Sequence, residues 1–271
     1  ILGLETGSQP MFTNNKRKIL VFNGEIFNFS SLSNEYLNKK YNSDTKTLLE
    51  LLNKYGIKCL DLINGMFSFA FYDLEKNKLY IVRDRFGIKP LYYHFKNDFI
   101  FSSEIKSIQK VLKNSSRINY KNISNYLTLN HSHGNETTFT DIKKIPPGFY
   151  IEYDFKKKKI ILRKWYDINM KQKKFNNNNE YIEETYSQIK KSIKLWTKSD
   201  VPISFLLSGG MDSGLLAKSF SDISPNKINT ISLAFSQKKE KKWNEISTIK
   251  ALTKKIRSNH KTIFFNPKNF L

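Results

Sequence analysis

The amino-acid sequence predicts two domains of different class: an α+β domain built on antiparallel sheet, followed by a parallel α/β domain. Three observations carry this. Between residues 66 and 102, short apolar runs alternate with polar turns: Met66–Tyr72, Leu79–Val82, Leu91–Phe95 and Phe99–Ser102. Successive hairpins of this kind make antiparallel sheet with both faces covered. After residue 200, apolar runs alternate instead with helical spacing, the pattern of a parallel sheet whose ligands sit at the carboxyl ends of its strands. Between these regions lies KQKKFNNNN, residues 171–179, polar and of low complexity, which reads as a linker. The domains are then 1–170 and 180–271, and 271 residues suffice for both.

Taken in order, residues 19–29 (ILVFNGEIFNF) start as a buried strand and place Asn23-Gly24-Glu25 at its end. Gly24 permits close backbone approach and Asn23 offers an amide donor, the parts of an oxyanion hole. The same dipeptide is also an ordinary hairpin turn, and on local evidence the turn is preferred. Ser43-Asp44-Thr45 forms a helix N-cap ahead of Leu48, Leu49, Leu52 and Tyr55, with a stop at Gly56, and Asp44 could be only that cap. Met66–Tyr72 is apolar on both faces and too short for a helix, hence a strand between layers. Cys59 has no His neighbour and sits among apolar residues, so it is read as packed and inert. Residues 115–167 are less regular. His131 and His133 lack the companions of a metal site, and Pro146-Pro147-Gly148 turns into a strand at Phe149–Tyr153.

Beyond the linker, Ile182, Tyr186, Ile189, Ile193 and Trp196 repeat at helical spacing. The run Ile203–Leu207 then reads as a buried strand that breaks into Ser208-Gly209-Gly210, passes Asp212 and Ser213, and resumes as a helix. Strand, small-residue turn and helix start place several backbone N–H groups and a helix N-terminus at one point, which is an anion site. Two hydroxyls and a carboxylate on that turn favour phosphate and magnesium chemistry over a mere tight turn. No Lys follows in the arrangement of a Walker loop. Thr230–Phe235 is a further buried strand, and residues 245–256 a further helix.

Composition removes some functions. No apolar run approaches the roughly 20 residues of a membrane helix, so no membrane partner is expected. The formal charge of +22 invites nucleic acid, as do the runs at 156–159 and 238–242. The cations are mostly lysine mixed with asparagine, however, and arginine, which reads phosphates and base edges, is scarce. No nucleic-acid partner is expected. A single cysteine excludes an internal disulfide framework and suits a reducing, cytoplasmic location.

The segments GSQPM (7–11), VFNGEIFNF (21–29), SDT (43–45), YGIKCLDLINGMFSFAFYD (55–73), RDRFGIKPLYY (83–93), SSEIKSI (102–108), PPGFY (146–150) and SDVPISFLLSGGMDS (199–213) fall in one order. In that order they resemble the glutamine-hydrolysing asparagine synthetases across nearly the whole chain. The resemblance implies an N-terminal-nucleophile domain, a four-layer αββα sandwich, followed by a pyrophosphatase-type ATP-binding domain, here truncated. It implies that Asn23 and Gly24 form the oxyanion hole, that Glu25 and Asp44 hold the glutamine α-amino group, and that Ile1 and Leu2 end a glutamine-contacting segment. It further implies that Leu207, Ser208 and Leu233 hold ATP, that Gly209, Gly210, Asp212 and Ser213 complete the pyrophosphate turn, and that Asp212 partners Mg2+. Its substrates would be glutamine, aspartate and ATP, and the product asparagine would form through a β-aspartyl-AMP. A homodimer is left open.

The family's nucleophilic Cys and its acceptor pocket have no counterpart between Ile1 and Leu271, so an internal fragment is expected. Gly214 replaces the Ser or Thr usual after the loop. A β-lactam synthetase-like ligase shares the two-part plan, and an inactive basic interaction protein would also suit the charge.

Overall fold

The computed structural model describes residues 6–113, 115–132, 134–168, 170, 172–235 and 245–265. Ile1, Leu2, His133 and the basic run 238–242 lie outside the described residues. The protein is of mixed α/β class and divides into two compact units, residues 1–170 and 171–271.

In the first unit, Met11–Phe12 (β1), Lys18–Ile26 (β2), Gly65–Asp73 (β3), Lys78–Arg83 (β4), Phe149–Asp154 (β8) and Lys159–Lys164 (β9) form one antiparallel sheet in that order. Tyr92–Phe95 (β5), Phe99–Ser102 (β6) and Lys143–Lys144 (β7) form a second, ordered β6-β5-β7. The alternation in β3 shows why the sheets stack. Phe67, Phe69 and Phe71 pack with Leu48, Leu49, Leu51 and Leu52 of helix α2 (Asp44–Tyr55). Ala70, one step out of phase, packs with Ile81, Ile151 and Leu91 toward the second sheet. A strand apolar on both faces is thus buried between a helical layer and a sheet layer. Ile105–Val111 (α3) packs on β5 and β6.

Local rules account for α2. Ser43 accepts from Lys46 N at its N-cap, and Gly56, at φ +59, ends it. Cys59 is fully buried and its thiol is pushed up to about 12, chiefly by burial, as an inert thiol should be.

Several expectations are corrected. Asn23-Gly24 is no hairpin turn: it lies inside β2, with Asn23 opposite Ser68 and Gly24 opposite Phe67. Helix Phe29–Leu37 (α1), α3, helix Tyr120–Leu129 (α4) and strand β9 were not legible. Their apolar faces are thin: only Leu32 and Ser33 are buried in α1 and only Asn122 in α4. In β9 the apolar core of KIILRK is flanked by lysines, which suit an exposed edge strand because charge deters further pairing.

The second unit has a parallel sheet, Ser204–Leu206 (β10), Ile228–Phe235 (β11) and Ser258–Phe265 (β12), in that order. Between its strands run Met211–Ile223 (α6) and Ile246–Lys255 (α7), with Asn178–Trp196 (α5) ahead of them. Leu207, Ala217, Ile228 and Ile256 make its core. Here too burial is less than expected. Leu206 is 72% and Leu233 68% exposed, because both lie on the sheet face opposite that core. Of the α5 repeat, only Ile193 is buried. The expected linker is also shorter, since Asn177 caps α5 and Asn178 and Asn179 already belong to its first turn.

One buried group locks the first unit. Asp84, fully buried, accepts from Phe86 N and Ile88 N with one oxygen and from Lys89 N and Phe67 N with the other. Replacement by Ala strands these donors, and at about 1–3 kcal/mol per unsatisfied buried group the loss should reach about 4 kcal/mol. Denaturant unfolding of Asp84→Ala measures this; a loss below about 1 kcal/mol would show that water replaces the carboxylate.

Candidate functional site

In the first unit the sequence places Asn23, Gly24 and Glu25 together, and the fold brings Asp44 to them. Gly24 is required by contact as well as conformation. At φ +150, a Cβ there would lie 2.1 Å from Met66 O and 2.6 Å from Phe67 Cα. The Asn23 side chain leaves the same strand toward a cavity of about 220 Å³, shared by Val21, Ser68, Phe101 and Ser103. Its Nδ2 donates to Ser103 Oγ at 3.2 Å. An amide donor beside an apolar-walled cavity has the make-up of an anion-stabilising corner.

Asp44 does more than cap. Ser43 is the N-cap, and Asp44 is the first residue of α2, 3% exposed. It accepts from Thr45 N at 2.6 Å and from Ile26 N at 3.1 Å, tying the helix start to β2 two residues beyond Gly24. Burial is the largest influence on its carboxyl and holds it above the ordinary Asp value, against the pull of those two N–H groups. The charge of Glu25 pushes the same way, as the smallest of these influences.

Gln9 carries no local signal in the sequence. Its carboxamide donates to Phe22 O at 2.8 Å and accepts from Phe22 N at 2.6 Å, so a side chain continues the β1–β2 ladder where β1 itself has ended. GSQPM contains the residue, but nothing in its spacing announces that an amide stands in for a peptide.

In the second unit, Leu207, Ser208, Gly209 and Gly210 connect β10 to α6, and Asp212 and Ser213 lie in the first turn of that helix. Leu207 is fixed from both sides: its N–H donates to Ile231 O at 2.8 Å and its carbonyl accepts from Ser232 Oγ at 2.7 Å. Ser208 and Ser213 hydroxyls lie 3.1 Å apart, and Ser213 Oγ also accepts from Ser208 N at 3.3 Å. Gly210 is the N-cap and offers no side chain, so the first-turn N–H groups are not covered by a capping residue. Asp212 lies in that first turn. Leu233 sits on β11 two residues past Ile231, the register partner of Leu206, toward the carboxyl end of the sheet. Glu245, far downstream and unflagged by local pattern, lies over Gly209: a Cβ on that residue, at φ +93, would be 2.2 Å from Glu245 Oε2. Among the described residues no three His, Cys, Asp or Glu gather as a metal site. No described helix is long and apolar enough to cross a membrane.

Comparison with known proteins places these features. The glutamine amidotransferase domain model matches residues 1–166, more than half of the chain, and the asparagine synthase model matches residues 184–271. The chain belongs to the glutamine amidotransferase domain family. Within it, the relatives named asparagine synthetase [glutamine-hydrolyzing] include protein 2 of Bacillus subtilis, 34% identical over 80% of this chain and 31% of its own length. Asparagine synthetase B of Escherichia coli is 30% identical over 80% of this chain and 35% of its own length. A Methanocaldococcus jannaschii relative is 32% identical over 93% of this chain and 49% of its own, so the chain spans half or less of these relatives. The resemblance carried by the ordered motifs is borne out. Among solved structures, the glutamine phosphoribosylpyrophosphate amidotransferase of B. subtilis covers 94% of this chain and 64% of that one at 11% identity. Its TM-score of 0.43 is too low to support any inference.

Gly24→Ala should cost about 3 kcal/mol or more, since overpacking against backbone cannot be relieved by a rotamer change. Wild-type unfolding behaviour would show that β2 and β3 can separate freely. For Asp44 the expected NMR titration midpoint lies above the ordinary Asp range. Its native value exceeds the unfolded one, so its stability contribution is complete below the unfolded value and is lost as pH rises through the native value. Asp44→Asn should abolish that pH dependence; a midpoint at or below the ordinary value contradicts the burial assigned here.

Proposed function

We propose that this chain carries the glutaminase portion and the start of the synthetase portion of an enzyme that makes asparagine from aspartate, ATP and glutamine. One observation carries the reading: a single chain joins a glutamine amidotransferase match to an asparagine synthase match. The first module releases nitrogen and the second activates a carboxylate. We read residues 1–170 as the amidotransferase domain, an N-terminal-nucleophile αββα sandwich, 171–176 as the linker, and the chain from the α5 cap at Asn177 onward as the first part of the ATP-binding domain.

In this reading Gly24 N–H and the Asn23 amide stabilise the oxyanion formed as the glutamine amide is attacked, and hydrolysis yields glutamate and ammonia. Glu25 and Asp44 hold the substrate's α-ammonium. The burial that raises Asp44 makes it a responsive partner, because a cation beside it relieves the cost of its charge. Ile1 and Leu2 would contact the same substrate.

The turn from Ser208 to Ser213 receives the phosphates of ATP, with Leu207 and Leu233 beside the nucleotide. The uncapped α6 N-terminus offers N–H groups and partial positive charge to the departing pyrophosphate. Asp212 is the residue that would hold Mg2+, and this donor set fits. Mg2+ takes one or two carboxylates and draws its other ligands from phosphate and water, so no larger protein cluster is needed. When bound, Mg2+ neutralises phosphate charge. Aspartate attacks the α-phosphorus through its β-carboxylate to give β-aspartyl-AMP and pyrophosphate; ammonia then displaces AMP to give asparagine.

The test uses the protein expressed from its complete gene. With amide-15N glutamine, aspartate and ATP, it should yield 15N-asparagine, with AMP and pyrophosphate in equal amounts. AMP formation with another acceptor, and none with aspartate, would refute the proposal.

A further inference from the structure

The Asn23 carboxamide can stabilise an oxyanion only if one of its N–H bonds points at the reacting centre. Strand β2 places the side chain but leaves its terminal torsion broad, since an amide on an sp2 carbon has no deep staggered well. Something must hold the plane. The backbone is already settled: Gly24 is clamped against Met66 and Phe67, and Gln9 grips both polar groups of Phe22. Neither touches the Asn23 amide.

Ser103 does. It follows β6 and precedes Glu104, the N-cap of α3. The two serines of this junction divide the work. Ser102 Oγ accepts from Glu104 N at 3.2 Å and closes the turn. Ser103 reaches across to β2 and accepts from Asn23 Nδ2 at 3.2 Å. Asn23 lies in the first sheet and Ser103 directly follows a strand of the second, and both line the same cavity. An amide group is planar, so engaging one Nδ2 hydrogen fixes the plane and the direction of the other.

We propose that Ser103 is a positioning residue of the glutaminase site, holding one Nδ2 hydrogen of Asn23 so that the second is presented to the oxyanion. This rests on the glutaminase reading above. Ser103 touches no reacting atom; it acts through Asn23. A misdirected donor weakens the transition state, where charge is concentrated, more than it weakens ground-state binding.

The experiment compares Ser103→Ala and Ser103→Thr with wild type in the protein expressed from its complete gene. Loss of a whole oxyanion donor costs about 10²–10³ in kcat, so a misoriented one should cost about tenfold. Ser103→Ala should therefore lower kcat for glutamine hydrolysis about tenfold while KM for glutamine stays within about twofold. Ser103→Thr, which keeps the hydroxyl, should restore kcat. In NMR spectra of the same proteins, the two Asn23 side-chain amide protons should be well separated in wild type and Ser103→Thr and converge in Ser103→Ala. Wild-type kcat in Ser103→Ala overturns the proposal, as does a loss in which KM and melting temperature move with kcat or which Thr fails to rescue. Wild-type protein that hydrolyses no glutamine overturns the glutaminase reading and this inference together, and is recognised before any variant is compared.

Discussion

The first unit depends on the Asp84 carboxylate more than on any other single group. It accepts four backbone N–H groups, three from the following turn and one from Phe67 in the middle of β3. Its own backbone N–H returns to Phe67 O at 2.8 Å, and its carbonyl accepts from Gly148 N at 2.8 Å. Arg83, next to it, donates to Gly87, Lys89 and Ile145 carbonyls. One Arg-Asp pair thus gathers β3, the turn after β4 and the entry to β8. Because Phe67 is the register partner of Gly24, the tightest backbone approach in the site is held through this carboxylate. Arg83 and Asp84 give the RDRFGIKP segment a structural role.

Glycine serves the two candidate sites in related ways. Gly24 and Gly209 each sit where a Cβ would overlap a neighbour, at 2.1 Å from a main-chain oxygen in one case and 2.2 Å from a carboxylate oxygen in the other. In the first unit the clamp is rigid, because the neighbour is another strand of the same sheet. In the second it is a side chain, Glu245, which can move aside. The serine pair at 208 and 213 gives the second turn an internal brace, and Ser208 Oγ also accepts from Gly210 N at 3.3 Å.

Part of the chain's net charge of +22 is engaged in local structure. Lys156 and Lys157 N–H groups close a turn on Asp154, and Lys159 to Lys164 form an exposed edge strand, where lysine guards against unwanted pairing. Lys78 and Arg163 share Glu152.

Much of this is legible in the amino-acid sequence. The period-2 and period-3.6 patterns set the strands around Phe67 and Tyr93, the helix from Ser43 to Gly56 and the strand–turn–helix at Ser208, because alternation, caps and glycine stops act over a few residues. Helices α1 and α4 are short and bury only one or two residues each, so tertiary packing rather than local pattern decides them. The site was legible as residue types only. Whether Asn23-Gly24 bends or extends is undecided within the dipeptide; pairing with Phe67 and Ser68 extends it. Asp44 looked like a cap until the fold set it against Ile26. Gln9, Ser103 and Glu245 acquire meaning only from partners 13, 80 and 36 residues away along the chain. Local spacing specifies which segments form; close approach between segments, which decides what each side chain touches, exists only once the sheets have stacked.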